Sequence, residues 1–178
     1  MMGRFFSGVL ATLVALAAAA FVAVWFGFVP ARADAPPPAL ETWAAHRALD
    51  ATIDREQPQP PYPYGPVTDA TLAAGAKLYM ANCSVCHGSG VGEASNVARG
   101  LYVRAPQFAR HGVDDDPAGE TYWKIEHGIR FTGMPSYAGT LSEEQIWQIA
   151  YFLKNGTETG TVKMPAAAEK AWMSPHGD

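Results

Sequence analysis

The stretch "NCSVCHGSGVG", residues 82–92, holds both cysteines of the 178-residue chain, Cys83 and Cys86, with His87 directly behind the second. Three chemistries use a C-x-x-C pair. A zinc site takes four ligands, usually from a second pair or from two closely spaced histidines. Here there is no second pair, and His46, His111, His127 and His176 stand alone. A thiol–disulfide oxidoreductase places its pair at the start of a helix that follows a strand. Here "TLAAGAKLYMANC", residues 71–83, reads as a helix running into the pair, and a glycine-rich loop follows. Covalent haem attachment needs only C-x-x-C-H: each sulfur forms a thioether with one vinyl group, and the adjacent histidine lies under the iron. The pattern therefore points to one haem c bound through Cys83 and Cys86, with His87 as an axial metal ligand. The plain alternative is a disulfide or two idle buried thiols.

A haem held in this way has a second axial position to fill. Met80 lies on the incoming helix, too close to the attachment site. Met134 sits in "RFTGMPSYAG", residues 130–139, between two helical stretches. Gly133 lets the backbone approach closely and Pro135 stiffens the chain just beyond. Such a loop suits a methionine that must point inward, although methionine more commonly fills gaps in a core. Met164 and His111 are the more distant alternatives.

At this point the sequence resembles the class I c-type cytochromes. The matching residues are "CSVCHG" at 83–88, "TGMPSYAGTLSEEQIWQIAYFLK" at 132–154, and the approach helix with Gly75 and Tyr79. The resemblance spans about residues 68–156, a common domain size. It implies an all-α class I cytochrome c fold around one covalently bound haem, with His87 and Met134 on the iron and one-electron transfer as the activity. It also implies that the first and last helices of the domain cross near Gly75, Tyr79 and Tyr151. The family places a proline carbonyl as acceptor for the ligand histidine's ring N–H, which maps provisionally onto Pro106. Because haem attachment in this family occurs outside the bacterial cytoplasmic membrane, residues after 30 should face the periplasm.

The flanks have their own logic. The chain is 48% hydrophobic and 17% charged with a formal charge of −4. No basic run appears, so nucleic acid is not an expected partner. Residues 5–29 carry no charge. A helix of that length spans roughly 37 Å, against a hydrocarbon core of about 30 Å. A cleaved signal peptide has a shorter apolar core of ~7–15 residues. Length argues for a retained anchor; "ARA" at 31–33 resembles a cleavage site and argues against it. Beyond it, "LETWAAHRALDATIDRE" at 40–56 reads as a helix with a modest apolar face of Leu40, Trp43, Ala44 and Ala48, and with Leu49 and Ile53 four apart; it is either a solvated tether or a docking helix on the domain, a partner or the membrane. "QPQPPYPYGP" at 57–66 is a semi-rigid spacer, or a segment that wraps back through Tyr62 and Tyr64. The expected organisation is a membrane anchor over 1–33, a periplasmic helix and proline-rich linker over 34–67, the haem domain over 68–156 and a mobile tail over 157–178.

Within the domain, Thr68 or Asp69 caps the first helix, and Gly75 in its middle signals close helix contact. Ser142 with Gln145 forms a capping box for the last helix, which ends at Gly156. A third helix starts near Asp116 or Pro117 and ends at Gly128, with Tyr122, Ile125 and Ile129 toward the haem. Trp123 and Arg130 are candidate cofactor-binding residues for a haem propionate; otherwise Trp123 is core and Arg130 a solvated charge. No acid–base pair, nucleophile or second cofactor site marks the chain as an enzyme. The expected function is one-electron carriage by a single-pass protein of the bacterial inner membrane. Its haem domain would relay electrons from a dehydrogenase or quinol-oxidising complex to an acceptor oxidase or reductase. The alternative is a gas or redox sensor whose methionine ligand is displaceable.

Overall fold

The structure is a computed structural model that describes residues 2–58, 63–90, 94–108, 110, 113, 116–156 and 166–173. Every regular element among them is a helix, and the chain divides into two compact units, Met1–Arg32 and Ala33–Asp178.

The first unit is one helix, α1 (Met2–Trp25). Its Gly3–Trp25 portion is long and apolar enough to cross a membrane. The hydroxyls it carries are satisfied within the helix: Ser7 donates to the Gly3 carbonyl at 2.9 Å and Thr12 to the Gly8 carbonyl at 3.0 Å. Backbone and side-chain polar groups satisfied locally are what a lipid environment demands.

The second unit is built on α3 (Asp69–Asn82) and α7 (Glu143–Gly156). Thr68 caps α3 and forms a reciprocal box with Thr71. The box expected for α7 is present, with Gln145 N–H donating to Ser142 Oγ at 3.2 Å and Gln145 Oε1 accepting from Ser142 N–H at 2.9 Å. The two helices meet at Gly75. A Cβ there would collide with the backbone carbonyl of Gln148 and with Phe152. The glycine costs helix propensity of about 1 kcal/mol and lets the axes close on each other. Tyr79, Ile149, Ala150 and Phe152 are completely buried around this crossing. α6 (Ala118–His127) packs on α7 through Tyr122, whose ring lies 4.6 Å from that of Trp147. Short helices α4 (Ser84–His87) and α5 (Asn96–Gly100) follow α3.

Both flanks are tied to the domain. The 157–178 segment was expected to be a mobile tail with room for one helical turn, whereas α8 (Ala166–Trp172) is a helix packed into the core. Trp172 is buried, 5.4 Å from the Tyr79 ring and 5.8 Å from that of Phe152, and its carbonyl accepts from Gly90 N–H at 2.9 Å. Burial of Ala168 and Trp172 supplies the driving force. The 34–67 segment reads in the sequence as a tether or as a docking helix and wrapping segment, and in the structure α2 (Ala39–Glu56) packs against α6. Ile53 is the buried residue of α2, 2% exposed, whereas Leu40 and Trp43 of the expected apolar face point outward, 74% and 64% exposed. The Pro58 carbonyl lies against Gly119, where any Cβ would clash. Farther on, Tyr64 donates to Glu143 at 3.1 Å, so the chain wraps back along the domain. Tyr62 and Met164 lie outside the described residues.

Trp172→Ala should destabilise the protein by about 3–5 kcal/mol, the range for removing a buried aromatic, read by denaturant unfolding. A loose tail would give no change.

Candidate haem site

The C-x-x-C-H segment forms the single turn α4 directly after α3. Ser84 Oγ donates to the Met80 carbonyl at 2.7 Å and His87 N–H to the Cys83 carbonyl at 2.9 Å. Gly88 follows at φ 77°, a conformation that favours glycine. Its carbonyl accepts from the buried Tyr79 hydroxyl at 2.7 Å. The turn therefore leaves α3 in a fixed direction.

A second segment, Ala105–Phe108, straps this turn. The Pro106 carbonyl lies 3.0 Å from His87 Nδ1, and Gln107 Nε2 donates to the Cys86 carbonyl at 2.9 Å. Phe108 N–H donates to the His87 carbonyl at 3.2 Å, and its ring stacks on the imidazole at 4.5 Å. An Nδ1–H donated to Pro106 leaves Nε2 as the lone-pair nitrogen. Burial holds the imidazole below its ordinary pKa, against a smaller opposing effect of the Pro106 carbonyl, so His87 is neutral at pH 7.

The third segment carries Met134. Thr132 Oγ1 accepts from Met134 N–H at 3.1 Å while donating to the Ile129 carbonyl at 2.7 Å. The Met134 carbonyl accepts from Ile129 N–H at 3.2 Å. Tyr137 donates to the Asn82 carbonyl at 2.9 Å, tying the loop to the end of α3. Behind it, Gly128 has φ 68°, and an added Cβ would lie 2.6 Å from Pro135 C and 2.8 Å from the Met134 carbonyl.

These three segments enclose a cavity of about 410 Å³, within the ~300–1,000 Å³ usual for ligand pockets. Cys83, Cys86, His87, Pro106 and Met134 all line it, together with Leu101, Val103, Phe108, Ile125, Ile129 and Leu153. Neither cysteine is in a disulfide. Burial, and secondarily Cys86, pushes the Cys83 thiol up to about 12, so a neutral sulfur is favoured there. A thioether is neutral. Two unpaired cysteines, one free imidazole nitrogen and one thioether, around an apolar space, fit a haem attached at Cys83 and Cys86. Among the described residues no cluster of three or more His, Cys, Asp or Glu exists to hold a metal ion by itself.

The two propionate candidates are not part of this lining. Trp123 is buried on the α2 side of α6, its ring 4.9 Å from His127, and Arg130 is exposed. Helical geometry explains the miss: Ile125 and Ile129 face the cavity, and Trp123 lies two residues from Ile125, on another face. Tyr122, expected toward the haem, packs on Trp147 instead. The charged groups that do reach the cavity are Arg104, Asp116 and Lys124. Burial opposes the Lys124 charge, but Glu120 and Asp116, the latter 3.3 Å away, more than offset it and raise its pKa. No sequence pattern marks Arg104 or Lys124 for this place, and Asp116 reads only as the start of the helix that forms α6. His111, the alternative iron ligand, lies outside the described residues.

Comparison with known proteins agrees with the chemistry of the pocket. A family model described as "Cytochrome C oxidase, cbb3-type, subunit III" matches residues 70–153. Cytochrome c6 of Leptolyngbya boryana is 34% identical over 91 residues, 51% of this chain and 99% of that protein. Cytochrome c6 of Parathermosynechococcus lividus is 29% identical over 91 residues, covering 51% and 97% of the two chains. The Cbb3-type cytochrome c oxidase subunit FixP of Rhizobium etli is 34% identical over 111 residues, 56% of this chain but only 35% of FixP.

Gly128→Ala should cost about 1–3 kcal/mol, from left-handed strain and displacement of the Met134 loop. Gly100→Ala, where a Cβ meets open space, should be neutral or slightly stabilising. Equal effects in denaturant unfolding would remove Gly128 from its supporting role.

Proposed function

The chain belongs to the class I c-type cytochromes, which carry electrons on a covalently bound haem c, and on that premise we propose that it is a membrane-anchored one-electron carrier with His87 and Met134 as axial ligands. The observation that carries this reading is the cavity itself, where the free face of His87 and the Met134 side chain belong to two independently braced segments. The haem, when bound, supplies a one-electron iron couple, and His/Met ligation raises its potential.

The chain's own residues do the rest. Cys83 and Cys86 tether the group. Pro106 fixes the tautomer and ring orientation of His87. Thr132, Gly128 and Tyr137 hold the Met134 loop so that little reorganisation accompanies a change of charge. Ile125, Ile129 and Leu153 keep water from the interior. Exposed Val85, between the cysteines, and Phe131, in the methionine loop, put apolar surface at both attachment segments, of the kind partner proteins dock on.

Helix α1 supports retention in the bacterial inner membrane with the haem domain in the periplasm, since its apolar run exceeds that of an ordinary cleaved signal. The organisation that follows is an anchor ending near residue 33 and a haem-bearing unit after it. The oxidase named in the family description and in FixP supports an oxidase as acceptor. A dehydrogenase or quinol-oxidising complex remains the donor class. A sensor with a displaceable methionine has no output element to support it among the described residues.

Met134→Ala should abolish the weak sulfur-to-iron absorption of the oxidised protein and lower its reduction potential, while Met164→Ala does neither. The reverse result would reassign the ligand. Native reduced protein should be inert to carbon monoxide; ready binding would support the sensor. Salt-washed membranes should retain the haem protein with Arg4 in its intact mass, and a soluble product starting at Asp34 would remove the anchor.

A further inference from the structure

Helix α2 ends before the family match begins at residue 70, yet one of its side chains reaches the cofactor cavity. Leu49 lines the same space as Cys83, His87 and Met134. Leu49 and Ile53 are four residues apart and share a helix face, and Ile53 is the one buried residue of α2.

The helix is held at both ends of this contact. At its start, Glu41 lies close enough to Tyr102 to raise the phenol's pKa, after the larger effect of desolvation. Tyr102 sits between Leu101 and Val103, both of which line the cavity. At its end, Gln57 N–H caps onto the Ile53 carbonyl at 2.8 Å, and the next residue, Pro58, lays its carbonyl against Gly119 of α6. α6 supplies Thr121, Lys124 and Ile125 to the cavity. Leu49 thus lies on a helix stitched to two other walls of the pocket.

We propose that Leu49 is a haem-contacting residue and that α2 is a wall of the haem site, supplied from outside the shared cytochrome domain. Its apolar side chain excludes water from one edge of the cavity. A drier surrounding disfavours the more highly charged oxidised iron, so the wall raises the reduction potential. It also closes that edge to partners and directs electron exchange to the remaining opening. The inference rests on the assignment of the cavity to haem.

The test uses the full-length holoprotein. Leu49→Asn should lower the midpoint potential while the haem spectrum and the sulfur-to-iron band stay intact. Leu49→Ala should shift it in the same direction by less, and Leu49→Met should restore the native value. Trp43→Asn, on the outward side of the same helix, should leave it unchanged. A native potential in Leu49→Asn and Leu49→Ala, or an equal shift in Trp43→Asn, would overturn the inference while leaving the haem assignment standing. Absence of covalent haem from the native protein would defeat the site assignment and this inference together. A purely structural role for Leu49 would lower the unfolding midpoint without moving the potential of the folded, correctly ligated protein.

Discussion

The close crossing of α3 and α7 at Gly75 is the constraint on which the domain depends. With no side chain on α3 at that point, the Gln148 backbone and Phe152 come into direct contact with it. The crossing buries Tyr79 completely, and the Tyr79 hydroxyl then reaches the Gly88 carbonyl. The last turn of α3 is thereby aimed, and the C-x-x-C-H turn that continues it inherits the direction. A larger residue at position 75 would force the helices apart and release both ends of this chain of contacts. The helix-propensity cost of the glycine is small beside the apolar area that the close approach buries.

The site is assembled from segments far apart in sequence because no single helix can present groups to both faces of a flat cofactor. The strap at 105–108 fixes the imidazole from behind, by one hydrogen bond to Nδ1 and one stacked ring. The loop at 128–137 lines the same cavity, held by the Thr132 hydroxyl and by Tyr137 on the α3 end. Both are irregular backbone, so side-chain hydrogen bonds replace the support that a ladder or helix would supply.

Much of this was legible in the sequence because local chemistry and local structure agree there. The C-x-x-C-H register, the Ser142/Gln145 box, the Gly128 stop and the mid-helix Gly75 each announce their role within a few residues. What escaped reading depends on long-range packing. α8 carries four alanines and a tryptophan, too short a run for periodicity to show a face, and only the Tyr79–Phe152 surface makes Trp172 a core residue. In α2 the sequence shows two apolar sets, and only packing decides between them: Leu40 and Trp43 point outward, while Ile53 is buried and Leu49 lines the cavity. Trp123 and Arg130 drew notice by residue type, but helix phase turns Trp123 toward α2 and gives the cavity Lys124 and Ile125 instead. Pro106 was placed by resemblance, and its carbonyl lies within hydrogen-bond reach of His87, across a connection that spacing could not have measured.

The account stands on two neutral sulfurs joined to one haem in the cavity. Intact mass spectrometry of the denatured protein tests this directly, because thioether bonds survive unfolding and acid whereas axial ligation does not. The account predicts a chain heavier by one haem, with the added mass located by fragmentation on the peptide containing Cys83 and Cys86. A chain at its polypeptide mass, or lighter by two hydrogens through a Cys83–Cys86 disulfide, would contradict it.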